Sequence, residues 1–258
     1  MPAEPLPGVA WLHGYTMDSS LWEPLWQQLP GQRHVGIDLP GHGSAADQPV
    51  PGSLAGLADL VAARLQADGC RSLVGLSFGS CVALQVALDH PHLLDRVVLA
   101  APTLAGPADD PEARDRYLEM YQLYQRSGPG PELTAVWMAE PPAIFTGLRR
   151  YPDTYDLVRR TVERHLFTEL GTGAMRMVTQ TVHTPALLAG IAVPLLVVAG
   201  AADMPQFRDN ARLLEAVVPD CTVHVVPGAG HLPLLEQPSA CSAVLDRFLP
   251  AAPGADQP

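Results

Sequence analysis

Residues 72–81 read Ser72-Leu73-Val74-Gly75-Leu76-Ser77-Phe78-Gly79-Ser80-Cys81. Ser72 to Leu76 is a short, mostly apolar run of the length of a buried strand, and Phe78 to Leu88 reads as a helix ending before His90-Pro91. Ser77 therefore stands at a strand-to-helix turn, inside a G-x-S-x-G pattern. Alone the pattern is a weak signal, because glycine and serine are common. On such a turn it carries chemistry. The serine is exposed above the end of a sheet, and the glycines let neighbouring backbone come close. The helix N-terminus behind it favours developing negative charge. Ser77 is the candidate nucleophile.

The same rhythm extends on both sides. Gly8 to Leu12, Arg33 to Leu39, Arg96 to Ala100, Pro194 to Ala199 and Cys221 to Val226 read as strands. Leu21 to Leu29, Ser53 to Ala67, Gln206 to Val217 and Ser239 to Phe248 read as helices, with Ser53 as an N-cap. The alternation predicts an α/β protein, a mostly parallel sheet wrapped by helices. It stops after Pro102 and resumes at Pro194. Between them the pattern is helical, and Trp137, Met138, Met120, Phe145 and several Tyr residues accumulate. The expected organisation is a core of residues 1–102 and 185–258 carrying an inserted helical cap, residues 103–184. The tail from Pro250 is expected to be disordered.

Two further loops follow predicted strands. Gly200-Ala201-Ala202-Asp203 follows Pro194 to Ala199, and Gly228-Ala229-Gly230-His231 follows Cys221 to Val226. An Asp at the carboxyl edge of a parallel sheet is placed for a site. A His with an ordinary pKa near 6.5 can take the serine proton at neutral pH. Asp203 would fix its tautomer and stabilise the imidazolium. Asp109 is the nearest carboxylate after Arg96 to Ala100 and lies farther past its strand end, so Asp203 is preferred. The chain order Ser77, Asp203, His231 differs from the two protease orders. At the end of the first strand, His13-Gly14-Tyr15 places the Tyr15 backbone N–H to form an oxyanion hole with that of Phe78. The His13 side chain is expected to brace the loop. The cap is expected to line an apolar substrate pocket together with Tyr15, Trp22 and Phe78, with Trp137 as its pocket residue on the cap side.

Composition narrows the partners. The chain has 258 residues, a formal charge of −11 and a hydrophobic share of 47%, and its 16 basic residues are all Arg. The negative charge argues against nucleic acid. Arg codons are GC-rich, which suggests a bacterial source. No apolar run is long enough for a membrane span, and MPAEPLPG has no signal-peptide pattern. Cys70, Cys81, Cys221 and Cys241 lack CxxC spacing and are expected to be free thiols in a cytoplasmic protein. No metal or cofactor is expected, since His90 and His92 lack a third ligand. The expected partner is a small-molecule substrate, on a monomer or homodimer.

With these motifs in place, the chain resembles the α/β-hydrolase superfamily. Asp38-Leu39-Pro40-Gly41-His42-Gly43-Ser44 is similar to its D-x-P-G-x-G-x-S turn. Gly228 to Pro238 resembles its His loop, and His13 to Leu25 its oxyanion loop. The resemblance covers about 1–102 and 185–258, and it leans towards small bacterial enol-lactonases, carboxylesterases and the menaquinone-pathway lyase. It implies a serine hydrolase acting on a small carboxylic ester or lactone through an acyl-enzyme. A carbon–carbon hydrolase or the lyase would keep the same triad, and a ligand-sensing relative could keep it without turnover. The lyase carries an Arg shortly after its nucleophile, where this chain has Ser80-Cys81. Little precedes the first strand, so the family's N-terminal hairpin is expected to be reduced or absent.

Overall fold

The computed structural model describes residues 6–106 and 111–250. Asp109 and the tail beyond 250 lie outside them. In chain order the elements begin with β1 (Gly8–Leu12), α1 (Glu23–Trp26), β2 (Arg33–Ile37), α2 (Leu54–Asp68), β3 (Cys70–Leu76) and α3 (Phe78–Asp89). Then come β4 (Arg96–Ala100), α4 (Pro111–Ser127), α5 (Pro131–Trp137), α6 (Pro152–Arg164), α7 (Thr168–Thr172), α8 (Arg176–Gln180) and α9 (Pro185–Leu188). The chain closes with β5 (Leu195–Gly200), α10 (Pro205–Val217), β6 (Cys221–Val226), α11 (Pro233–Glu236) and α12 (Pro238–Phe248).

The strands form one six-stranded sheet in the order β2-β1-β3-β4-β5-β6, and every pair is parallel. Alternation along each strand divides the interior in two. Ala10, Leu12, Leu73, Val97, Leu99 and Val197 face one apolar layer. Val9, Trp11, Val74, Val98, Leu196 and Val198 face the other. The central strands are buried except at Arg71 and Arg96, near the starts of β3 and β4, whereas β2 and β6 at the edges are only partly covered, in keeping with their mixed sequences RHVGI and CTVHVV. Ser53 caps α2 by accepting from the Gly56 N–H, and Gly69 ends it at φ 62°, a conformation that suits glycine.

Between β4 and β5, every regular element among the described residues of 103–184 is helical. One sequence expectation is corrected. Leu21 to Leu29 is not a single helix but a 3-10 turn, Ser19–Trp22, followed by the short α1. Pro24 lacks an N–H and starts a new turn, and the Asp18 carboxylate caps the first by accepting from Ser20 N–H.

Candidate active site

Ser77 sits between β3 and α3 at φ 52°, ψ −117°. A non-glycine residue there is strained, and the surroundings hold it. Its N–H donates to Ala100 O at 2.9 Å, and the Ser80 hydroxyl donates to Ser77 O at 2.6 Å. The flanking glycines are required by contact. A Cβ at Gly75 would strike the Gly79 backbone, and one at Gly79 would lie 2.7 Å from Leu12 O. The elbow is thus pressed against the end of β1, and the partly exposed Ser77 side chain stands above the sheet edge.

The Ser77 hydroxyl lies 2.9 Å from His231 Nε2, and His231 Nδ1 lies 2.9 Å from Asp203 Oδ1. A carboxylate only accepts, so the ring proton sits on Nδ1 and leaves Nε2 with a lone pair toward Ser77. Asp203 and His231 are both buried. Asp203 Oδ1 also accepts from the Met204 N–H at 2.7 Å. The two loops dock because Gly200 has no side chain: a Cβ there would overlap the Gly230 carbonyl. The Ala202 N–H then donates to Ala229 O at 2.8 Å.

Three residues around His231 were not read from the sequence. The Phe207 ring lies 4.2 Å from the imidazole. Glu236, 1% exposed, accepts from the backbone N–H groups of Gly230 at 2.7 Å and Leu232 at 3.0 Å, one on each side of His231. Arg150 Nη1 donates to Gly228 O at 2.8 Å, tying the helical insertion to the same loop. The available signal for Glu236 was a lone acid inside the apolar stretch LPLLEQP.

The His13-Gly14-Tyr15 loop lies alongside the elbow, and a Cβ at Gly14 would be 3.6 Å from Ser77 Cβ. Neither the Tyr15 nor the Phe78 amide donates to a protein acceptor among the described residues. His13 Nε2 accepts the Leu39 N–H at 3.0 Å while Nδ1 donates to Gly14 O at 2.8 Å. Burial lowers its pKa, so His13 is a neutral brace. The acid of the D-x-P-G-x-G-x-S turn, Asp38, ties the neighbouring loops by accepting from Ser19 N–H and Ser44 N–H.

The two tryptophans part company. Trp22 is fully buried, its ring 5.4 Å from Trp11 in the core beneath β1. It does not line a pocket, because the turn at Ser19–Trp22 directs it inward. Trp137 is half-buried beside the site, its ring 5.2 Å from Tyr15 and its Nε1–H donating to Thr16 Oγ1 at 2.8 Å. The Phe78 ring belongs to the core. Two clefts lie where the insertion meets the core. One, of about 290 Å³, includes Thr16, Asp18, Thr161, Arg164 and His165 in its walls. The other, of about 540 Å³, includes Val50, Leu166, Arg176 and Met177. Neither wall includes Trp22 or Trp137. The four cysteines are free, and burial pushes the Cys81 thiol up to about 12.

A parallel sheet with a serine on a strained strand-to-helix turn, and a histidine and an aspartate on loops after later strands, defines an α/β hydrolase. Residues 9–244 match the alpha/beta hydrolase family, and the chain belongs to it. It is 30% identical to a 2-succinyl-6-hydroxy-2,4-cyclohexadiene-1-carboxylate synthase of Salmonella newport (strain SL254), covering 96% of each chain. It is 28% identical to a pimeloyl-[acyl-carrier protein] methyl ester esterase of Nitrosomonas europaea, over 93% of this chain and 94% of that one. Among solved structures, the thermophilic esterase from Thermogutta terrifontis matches with a TM-score of 0.77 at 25% identity, over 95% of this chain and 90% of the esterase. No helix among the described residues is long and apolar enough to cross a membrane.

Proposed function

We propose that this protein is a serine hydrolase that cleaves a small carboxylic ester or lactone through an acyl-enzyme on Ser77. The observation that carries the reading is the pair of 2.9 Å contacts from Ser77 through His231 to Asp203. In the proposed reaction His231 Nε2 takes the Ser77 proton as Oγ attacks the carbonyl carbon. The negative charge formed on the carbonyl oxygen meets the Tyr15 and Phe78 amides. His231 then returns the proton to the leaving alcohol, and water activated by the same imidazole releases the acid. Asp203 holds the imidazolium between these steps. Residues 103–184 act as the cap, with Trp137 against the acyl chain. Four free cysteines fit a reducing compartment such as the cytoplasm.

The second reading is the carbon–carbon lyase, favoured by the 30% identity to the synthase. Ser80 and Cys81 weigh against it. The Ser80 hydroxyl is committed to Ser77 O and to the Thr103 N–H, and Cys81 is fully buried, so neither position offers a cation to an acidic substrate. A panel of p-nitrophenyl esters and simple lactones, with Ser77→Ala as the blank, tests the proposal. Turnover by the parent and none by Ser77→Ala is expected. Equal turnover by both overturns it.

A further inference from the structure

The insertion grips the oxyanion loop at three points. The Tyr15 hydroxyl donates to the Glu169 carboxylate on α7. The Trp137 indole on α5 donates to Thr16 Oγ1 at 2.8 Å, and the Thr16 hydroxyl donates to Tyr15 O at 2.6 Å. Arg164, at the end of α6, pairs with Asp18 at 2.9 Å. Thr16 itself is held at φ 63°, a left-handed conformation that a β-branched residue takes only when its surroundings impose it. The loop that presents the Tyr15 amide is therefore shaped by contacts reaching down from the insertion.

Glu169 is the costly member of this set. It is 2% exposed, on a helix of five residues, and no arginine reaches it among the described residues. Its carboxylate accepts from Tyr15 Oη and from His165 Nε2, which lies 3.2 Å from both oxygens. The His165 ring packs 4.5 Å from His42, and His42 packs 4.9 Å from His13, so a row of rings leads from the insertion to the β1 loop. Burial and the Glu169 charge hold the Tyr15 phenol well above its usual pKa, so it stays a donor. A buried carboxylate costs stability that an apolar side chain in the same place would not. What this one does is fix the far end of the Tyr15 side chain.

We propose that Glu169 is a positioning residue for the Tyr15 amide, so that the oxyanion hole is complete only when the insertion is docked on the core. The inference rests on the serine-hydrolase reading. If Glu169 merely fastened the insertion, its loss would lower stability and leave the chemistry of bound substrate alone.

The test uses a fluorophosphonate probe, whose phosphoryl oxygen gains charge where an ester oxygen would, together with kcat and KM for p-nitrophenyl butyrate. Tyr15→Phe and Glu169→Leu are each expected to slow labelling about tenfold, less than removing an oxyanion donor outright. They are expected to lower kcat as much, with KM within about twofold. The double variant should be no slower than the slower single one, because both remove one interaction. Glu169→Gln keeps an acceptor and should recover most of the rate; with Tyr15→Phe it carries the test if Glu169→Leu does not fold. Additive losses, a loss confined to KM, or labelling of Tyr15→Phe at the parent rate would overturn the proposal. Absence of labelling at Ser77 in the parent would instead overturn the hydrolase reading.

Discussion

Gly147, on the insertion, packs its Cα directly against the carboxylate of Glu236, on the core, and a Cβ there would overlap the carboxylate oxygens. The insertion thereby seals the acid whose oxygens hold the amides on both sides of His231. Gly147→Ala should push Glu236 off one or both amides, lowering kcat and melting temperature together. Glu236→Gln leaves one of those buried N–H groups facing an NH2, a loss of about 1–3 kcal/mol in stability. Thermal melts and kcat for both variants check these effects, and a Glu236→Gln variant that melts at the parent temperature would show that the two amides do not depend on the carboxylate.

Acid should loosen the joint at His183. Its Nδ1 accepts the Ala105 N–H at 3.1 Å and its Nε2 donates to Gln85 on α3 at 3.0 Å, so the neutral ring satisfies both. Burial lowers its pKa from 6.5 to about 4. A histidine depressed in the folded state gives stability that is whole above 6.5 and is lost as pH falls towards 4. The loss is on the order of 3 kcal/mol. His13 and His42, also lowered by burial, add in the same direction. Denaturant unfolding between pH 7 and 4 should show the decline, and His183→Gln should flatten it. An unchanged slope in that variant would assign the acid sensitivity elsewhere.

Trp137 stands between Tyr15 and Phe145, with ring separations of 5.2 and 5.8 Å. Trp137→Phe keeps an aromatic ring but loses the bond to Thr16, so it should lower kcat across all chain lengths. Trp137→Ala should in addition shift the preference among acetyl, butyryl and octanoyl p-nitrophenyl esters. If Trp137→Ala melts several degrees lower with an unchanged preference, the residue is packing for the insertion and not a wall of the acyl site.

The residues that meet at the site from three separate loops were visible in the sequence because each follows a strand and is flanked by glycines with a contact reason to be there. Gly75, Gly79 and Gly200 all stand where a side chain would strike backbone. Trp22 was misplaced because a short 3-10 turn has no readable face, and only the sheet beneath it decides that the ring turns in toward Trp11. Glu169 was invisible for another reason. Its partner Tyr15 is 154 positions away, and an acid on a helix reads as solvent-exposed until the insertion is folded over the core. Phe207 likewise meets His231 only through the docking of α10.

Removing either partner of Ser77 should be severe. His231→Ala is expected to lower kcat/KM on the order of 10⁴-fold or more. Asp203→Asn lets the imidazole take the wrong tautomer while keeping the shape, and should cost on the order of 10⁴-fold in kcat. Near-parent kcat in Asp203→Asn would mean that another acid serves His231.

Mass spectrometry of an acid-quenched reaction with p-nitrophenyl butyrate, followed by peptide mapping, tests the acyl-enzyme itself. A butyryl group on the peptide carrying Ser77, absent from Ser77→Ala and persisting longer when deacylation is slowed, is the predicted result. Turnover by the folded protein with no acylated peptide, or with the butyryl group on another residue, would contradict the account.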